Sequence, residues 1–178
     1  MLLFATSLVG AVPAMAQTGG IPGGTTSTTQ TTPTSPSGSA QLQPDGTAMP
    51  PANAPRPIRK AINAANRIHT RPYIWGGGHA RFKSRGYDCS GAVSYVLHAA
   101  GLLRSPMVSG ALGSRWGLPG TGQWITVYGK SSHAWMVVAG LRFDTSSGGD
   151  PWNQGSGPRW RRTIASTAGY SSRYSPGL

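Results

Sequence analysis

The sequence predicts an α+β fold in which N-terminal helices pack on a small antiparallel β-sheet. Two observations predict it. The first half of the folded region has two apolar patterns with helical spacing, separated by a glycine-rich loop. The second half has short strand-like runs bounded by Gly, Pro and Ser. Helices followed by consecutive strands, rather than alternating with them, are typical of an α+β domain.

The N-terminal region predicts export followed by an unfolded spacer. The apolar run over 2–12 is too short to span a bilayer and ends in the small-x-small pattern Ala14-Met15-Ala16. We expect a signal peptide over 1–16, although no positive charge precedes the run; a buried helix is the alternative. Residues 17–55 are rich in Thr, Ser, Gly and Pro and predict a disordered tether. The folded domain is then 56–178, with no transmembrane segment after signal cleavage.

The charge of the chain predicts attraction to polyanions. There are 16 Lys and Arg against 4 Asp and no Glu, which gives a net charge of +12. Anionic cell-wall polymers and anionic membrane surfaces are both partners of suitable charge. Nucleic acid is not expected, because the chain has no RNP motif and no zinc-finger spacing.

Two helices are predicted at the start of the domain. The first follows Pro57, a residue suited to a first helical turn, and Pro72 limits it. The second runs over about 89–100 and ends at Gly101. Residues 103–123 are interpreted as a loop. The apolar positions of the two helices are Ile58, Ala61, Ile62, Ala65, Ile68, Ala92, Val93, Val96, Leu97 and Ala100.

Four strands are predicted after the helices. Three of them are consecutive, "QWITVYG", "HAWMVVA" and "LRFDTS", and "PRWRRTI" follows a glycine-rich loop. The second and third strands are separated by Ala139-Gly140. If these two residues form the turn, a β-hairpin places Val138 opposite Leu141.

The chain has a single cysteine, Cys89, and it precedes the second helix. Asp88 is a residue type favoured as a helix N-cap, which places Cys89 in the first helical turn. Helix N-termini lower thiol pKa values, and their N–H groups can stabilise an oxyanion. A nucleophilic cysteine is one interpretation; an inert buried cysteine is the other.

A nucleophilic cysteine needs a base, and the chain has four histidines. His69 ends the first helix, and His98 lies about 13 Å along the helix axis from Cys89, too far to contact it. His79, in the glycine-rich loop, and His133, at the start of a strand, remain as candidates. The alternative interpretation of His133 is a surface histidine at the end of a strand, with no catalytic role.

Strand alternation favours His133. In the predicted hairpin, one face is apolar, and the other carries His133, Trp135, Arg142 and Asp144. Asp144 is then a diagonal neighbour of His133. A carboxylate beside an imidazole orients a general base. Pairing of Asp144 with a nearby arginine is the alternative.

These residues resemble the NlpC/P60 family of cell-wall cysteine peptidases. The matching segments are "RPYIWGGG" (71–78), "YDCSGAVSYVLHAAGL" (87–102) and "HAWMVVAGLRFDTS" (133–146), in the family's order. The resemblance covers roughly 58–145, most of the domain. The resemblance implies a papain-like NlpC/P60 fold and hydrolysis of amide bonds in peptidoglycan stem peptides, typically between D-Glu and a diamino acid. It implies a secreted, periplasmic or wall-associated protein.

The resemblance also implies residue roles. Cys89 matches the nucleophile and His133 the base; Asp144 stands where the family usually has His, Asn or Gln. Tyr73 matches a tyrosine that lies near the nucleophile and assists the oxyanion.

Asp88 and Ser90 match positions that line the cleft and receive a substrate amine. The chain departs from the family at "GQWITVYGKSSH", which replaces the usual strand before the histidine, and at Trp135, where the family often has glycine. We expect Trp135 to narrow the cleft.

No cofactor is expected, and no metal site, since the chain has no HExxH or CxxC pattern. A monomer is expected. Two further functions stay open: a catalytically silent wall-binding module, and an amidase or acyl transferase of the same superfamily. Tryptophans at a groove also suit sugar binding, although they are more often packing residues.

Overall fold

The computed structural model describes residues 38–147, 155–162 and 164–178. The predicted signal peptide and the tether over 17–37 lie outside the described residues and stay predictions. The α+β prediction is confirmed: the described residues form three helices, a six-stranded antiparallel sheet and a two-stranded antiparallel hairpin. Within the described residues, no helix has both the length and the apolar character needed to cross a membrane.

Helices α1 (Arg56–Ile68) and α2 (Cys89–Ala99) form where the sequence predicts them. Pro57 lies in the first turn of α1, where its missing N–H costs nothing. Gly101 follows the C-cap of α2 with a φ of +82°, the left-handed conformation that glycine adopts most easily. The predicted apolar faces of both helices are buried in the core.

In the part of the chain that the structure describes, the main sheet has six strands in the order β3-β8-β4-β5-β6-β7. The strands are β3 (Leu118–Pro119), β4 (Ile125–Lys130), β5 (His133–Val138), β6 (Leu141–Asp144), β7 (Arg159–Arg161) and β8 (Ser171–Tyr174). All of its neighbouring strands are antiparallel. The helices pack on the face that carries Met136 and Phe143, both fully buried.

The register of the β5–β6 hairpin is the predicted one. Val138 lies opposite Leu141 and Met136 opposite Phe143. Ala139 and Gly140 form the two-residue turn with φ values of 46° and 80°. Positive φ at both turn residues is the geometry that fits the twist of a hairpin. The register therefore places His133 and Asp144 on the same face.

The described end of the predicted tether is folded, unlike the disordered chain that its composition predicts. Strands β1 (Gln41–Leu42) and β2 (Ala48–Met49) form a small hairpin, and Ala48 and Ala54 are buried. Both the N–H and the C=O of Ala48 bind the side chain of Asn66 at 2.9 Å. Small side chains and backbone groups join this segment to the domain. Because the segment buries little apolar surface, the hydrophobic pattern of the sequence does not predict that it is folded.

The segment predicted as a loop over 103–123 contains two elements. Helix α3 spans Ser109–Ser114, and β3 follows it. Strand β8 was also missed. It pairs with β4 through the main chain, from Thr126 opposite Tyr174 to Gly129 opposite Ser171.

Candidate active site

Cys89 begins helix α2, and Asp88 caps that helix as predicted. Asp88 has extended backbone angles, and its carboxylate accepts a hydrogen bond from the N–H of Gly91 at 2.7 Å. The N–H groups of Cys89 and Ser90 belong to the first helical turn, which has no carbonyl acceptors within its own helix. The cap therefore places the thiol beside donors that can stabilise negative charge.

His133 and Asp144 are in direct contact across β5 and β6. Nε2 of His133 lies 2.8 Å from Oδ1 of Asp144. That contact leaves Nδ1 as the ring nitrogen for the thiol of Cys89. The carboxylate thus fixes the orientation and tautomer of the imidazole, as an orienting residue does in a catalytic triad.

The other carboxylate oxygen of Asp144 binds a buried arginine. Nε and Nη2 of Arg142 donate to Oδ2 of Asp144 at 3.1 and 2.8 Å, and the Arg142 side chain is 0% exposed. Nη2 also donates to the carbonyl oxygen of Ser146 at 2.8 Å, and the N–H of Ser146 donates to Oδ1 of Asp144 at 3.0 Å. Besides His133, Asp144 therefore accepts three hydrogen bonds, from Nε and Nη2 of Arg142 and from the N–H of Ser146, which leave its carboxylate little freedom to rotate.

The charges of Cys89 and His133 are coupled. Burial raises the pKa of the Cys89 thiol, but hydrogen bonds with His133, Ser109 and the backbone of Ala134 outweigh burial and lower it. Burial lowers the pKa of His133, but the hydrogen bond to Asp144 and the contact with Cys89 raise it from 6.5 to about 9. These opposite shifts favour a thiolate–imidazolium pair near neutral pH, the reactive form of a cysteine nucleophile.

An open cavity of about 510 Å³ lies in front of Cys89. Although the whole residue is only 8% exposed, Cys89 reaches the wall of this cavity. The cavity is also lined by Tyr73, Trp75, Gly76, His79, Asp88, Ser90, Val108, Ser109, Ser131 and Ser132. It has the size of a pocket for a small ligand or a short peptide segment.

The predicted binding residues lie in this cavity. Burial, together with the charges of Cys89 and Asp88, raises the pKa of Tyr73, so its hydroxyl stays protonated and able to donate. Oδ1 of Asp88 lies 3.0 Å from Nε2 of His79 and accepts a hydrogen bond from Ser90 at 3.3 Å. Asp88, Ser90 and His79 form one polar cluster beside the thiol. His79 therefore lies in the cleft, where its ring contacts Asp88.

The structure is similar to several solved bacterial structures. One is a hypothetical invasion protein of Mycobacterium tuberculosis, at 23% identity over 77% of this chain and 69% of that one, with a TM-score of 0.47. Another is the peptidoglycan hydrolase RipB of the same organism, at 21% identity over 71% and 68% of the two chains, with a TM-score of 0.48. A third is an NlpC/P60 family protein from Bacillus cereus, at 22% identity over 73% of this chain and 44% of that one, with a TM-score of 0.49.

The chain matches no protein-family model and no curated protein. All three structural similarities are below 25% in sequence identity and below 0.5 in TM-score.

The structure brings together all six residues that the sequence predicts for the site. Cys89, His133 and Asp144 form a connected series, and Tyr73, Asp88 and Ser90 lie in the same cavity as the thiol. Their roles in catalysis and binding stay predictions. Within the described residues, no group of three or more His, Cys, Asp or Glu side chains is arranged to hold a metal ion.

Two residues of the site were missed. Oγ of Ser109 lies 3.4 Å from Sγ of Cys89 and lowers its thiol pKa. Ser109 begins the short helix α3, for which the sequence gave no apolar pattern. Strand alternation placed Arg142 on the correct face. An arginine was considered only as a partner that Asp144 would bind instead of His133. Asp144 binds both at once.

The tryptophans divide between packing and the cleft. Trp135 does not narrow the cleft as expected: it is 0% exposed and stacks on Tyr128, with ring centroids 4.2 Å apart. Trp116 and Trp160 are buried in the core. Trp75 is 88% exposed and lines the cavity, and Trp152 lies outside the described residues.

Proposed function

We propose that this protein is an exported cysteine peptidase that hydrolyses amide bonds in the stem peptides of peptidoglycan. One observation carries the proposal: His133 interacts with both Cys89 and Asp144 at an open cavity. The contact between His133 and Cys89 lowers the pKa of the thiol and raises the pKa of the imidazole. The motif resemblance to NlpC/P60 peptidases supports the choice of substrate class and, within it, of the bond between D-Glu and a diamino acid. The sequence pattern over 1–16 supports export.

The proposed mechanism has two steps. The Cys89 thiolate attacks the amide carbonyl carbon, and the first N–H groups of α2, with the hydroxyl of Tyr73, stabilise the oxyanion. The His133 imidazolium gives its proton to the leaving amine nitrogen, and the C–N bond breaks to give a thioester. Water, deprotonated by His133, then attacks the thioester. The products are a carboxylic acid and the regenerated thiolate.

The rest of the cavity supports a peptide substrate. Asp88 is a buried carboxylate beside the thiol, and Ser90 adds a hydroxyl, so this end of the cavity suits a protonated amine. Trp75 offers an exposed aromatic surface at the same cavity. A diamino acid or an N-terminal amine next to the cleaved bond fits this arrangement.

The test compares the 178-residue chain with its Cys89→Ala variant. Each is incubated with purified peptidoglycan and with soluble stem peptides, and the products are identified by mass spectrometry. We expect new stem-peptide fragments from the parent and none from the variant, with fragment masses that identify the bond. Cys89→Ser is a second control, because it keeps the size and polarity of the side chain while removing the strong nucleophile.

The exposed basic surface favours a second candidate, the silent wall-binding module. That candidate predicts that the parent and Cys89→Ala sediment equally with the wall and that neither releases fragments. Transfer of the acyl group to an added amine, rather than to water, would instead identify an acyl transferase.

A further inference from the structure

A basic loop connects two residues that line the cavity. Residues 80–87, here the 80–87 loop, connect His79 to Asp88, and both of these residues line the cavity. The two ends are joined by the contact between Nε2 of His79 and Oδ2 of Asp88 at 3.0 Å. The N–H of Asp88 also donates to the carbonyl of Gly77 at 3.2 Å. The loop is therefore closed at the edge of the cleft.

Alternate residues hold the 80–87 loop on the domain. The ring of Phe82 stacks on His98 of α2, with centroids 3.8 Å apart and planes 8° from parallel. The N–H of Ser84 donates to the hydroxyl of Tyr87 at 3.2 Å, and Tyr87 is buried. These contacts fix the inward side of the loop.

The intervening residues of the loop are cationic and exposed. Arg81, Lys83 and Arg85 all face solvent, and the loop contains no acidic residue. Within the described residues, none of the three forms an ion pair. Three positive charges are thus presented together from an anchored loop, which reduces the entropy lost when they bind an anion.

Little negative charge on the surface offsets these cations. Of the described acidic residues, Asp88 and Asp144 are buried and already bound to cationic or polar groups. Asp45 is exposed, but its carboxylate accepts hydrogen bonds from Thr47. A polyanion that approaches the 80–87 loop therefore meets a strongly positive surface.

We propose that Arg81, Lys83 and Arg85 bind a phosphodiester-linked anionic polymer of the cell wall and hold the wall at the cleft. Two of the three residues are arginines, whose guanidinium groups bind phosphate oxygens in pairs. The loop begins and ends at cavity residues, so a polymer bound there lies beside the substrate site. The choice of a wall polymer rests on the proposed function; nucleic acid, which also carries phosphodiesters, is an outcome of the test.

The test measures sedimentation of the 178-residue Cys89→Ala chain with purified cell walls. One wall sample keeps its phosphodiester polymer, and a second is stripped of it with hydrofluoric acid. In the same background, Arg81→Gln, Lys83→Gln and Arg85→Gln are combined. We expect about tenfold weaker binding of this triple variant to whole walls. We also expect weak and equal binding of parent and variant to stripped walls.

Helix α1 supplies a matched control. Arg56, Lys60 and Arg67 are exposed and lie at positions that share one face of α1. Changing these three to glutamine removes the same charge, and we expect less than about a twofold loss of binding. Equal losses in the two triple variants would show that only net charge matters and would overturn the proposal. Equal parent binding to whole and stripped walls would do the same, as would tighter binding to duplex DNA than to walls at equal phosphate concentration.

Failure of this proposal is separable from failure of the proposed function. With Cys89 restored, the loop variant should cleave soluble stem peptides like the parent, because Arg81, Lys83 and Arg85 do not line the cavity. Retained peptide cleavage with unchanged wall affinity would refute the docking role alone. Wall binding that depends on the loop, without peptide cleavage by the parent, would refute the peptidase alone.

Discussion

Asp144 contacts two cationic side chains, one through each carboxylate oxygen. Oδ1 faces Nε2 of His133, and Oδ2 faces the guanidinium of Arg142. A carboxylate confined in this way keeps the imidazole plane fixed while the ring gains and loses a proton. The proton held on His133 in turn keeps Cys89 ionised. Asp144 thus affects the ionisation of the Cys89 thiol through His133, without a direct contact between Asp144 and Cys89.

Replacing Asp144 with asparagine should change two pH profiles in opposite directions. Without the carboxylate, the pKa of His133 falls from about 9, since Asp144 provides the strongest interaction that raises it. The alkaline limit of kcat/KM should therefore move down by about one to two pH units. The Cys89 thiol loses its imidazolium neighbour near pH 8, so the midpoint of its alkylation by iodoacetamide should move up. The rate of peptide cleavage should fall on the order of 10²-fold.

Alkylation reports on one thiol, because Cys89 is the only cysteine of the chain. Asp45→Asn is the control, since it removes an exposed carboxylate that binds Thr47; both of its profiles should match those of the parent. Loss of activity in Asp144→Asn with both midpoints unchanged would mean that Asp144 only stabilises the fold. It would then have no role in setting the charge of the site.

Part of the candidate site could be predicted from local chain geometry, whereas Tyr73, Asp88 and Ser90 were placed in the cleft by the resemblance of their motifs to those of a known family. The cap at Asp88 follows from one residue before a helix, and the His133–Asp144 contact follows from the alternation of a hairpin. Ser109 could not be found in this way, because it meets Cys89 only through the packing of α3 beside α2. Arg142 was on the predicted face, but burial of its charge is a tertiary outcome that strand alternation alone does not fix.

At the scale of elements, helix α2 is placed by direct backbone contact with the glycine-rich loop. A Cβ on Gly91 would overlap the carbonyl oxygen of Gly77, and a Cβ on Gly78 would approach Gly91 and Tyr87 within 3.1 Å. The first turn of α2, which carries the nucleophile, therefore rests on the loop without intervening side chains. This contact fixes Cys89 relative to the cavity that the same loop lines.

Gly91→Ala should displace the first turn of α2. The neighbour is backbone, so the overlap cannot be relieved by a side-chain rotation, and we expect a loss of about 1–3 kcal/mol in the free energy of unfolding. Gly110→Ala is the matched control in α3, because the nearest atom to its added Cβ is 3.7 Å away. The control should be unchanged or up to about 1 kcal/mol more stable. Urea unfolding measures both; equal stability of the two variants would contradict the proposed packing.

The elements that the sequence did not predict are those without regularly spaced apolar residues. Strand β8 reads "SSRY" and is held by main-chain pairing with β4, so its side chains give little strand signal. Helix α3 has six residues, too few for a helical repeat to appear. In contrast, α1, α2 and the β5–β6 hairpin bury regular apolar faces, and their positions follow directly from that regularity.

At the scale of the whole molecule, Asn66 joins three parts of the fold. Its Oδ1 accepts hydrogen bonds from the N–H of Ala48 at 2.9 Å and from Nε1 of Trp160 at 2.8 Å. Its Nδ2 donates to the carbonyl of Ala48 at 2.9 Å. One side chain of α1 therefore binds the β1–β2 hairpin and strand β7, which are far apart in sequence. The hairpin is part of the folded unit rather than a free leader to it.

Asn66→Ala should weaken this connection across the molecule. Three hydrogen bonds to part-buried groups are lost together, and we expect the free energy of unfolding to fall by about 2–4 kcal/mol. Asn63→Ala is the control, because Asn63 is exposed on the same helix and should change stability by less than about 0.5 kcal/mol. Chemical denaturation gives both values. Hydrogen exchange at Gln43, whose N–H donates to the carbonyl of Thr47 within the hairpin at 2.8 Å, shows whether the hairpin opens first. If Asn66→Ala unfolds like Asn63→Ala and Gln43 stays protected, the hairpin is held by packing of Ala48 and Ala54 instead. In that case residues 38–55 depend on apolar burial, and Ala48→Gly rather than Asn66→Ala should release them.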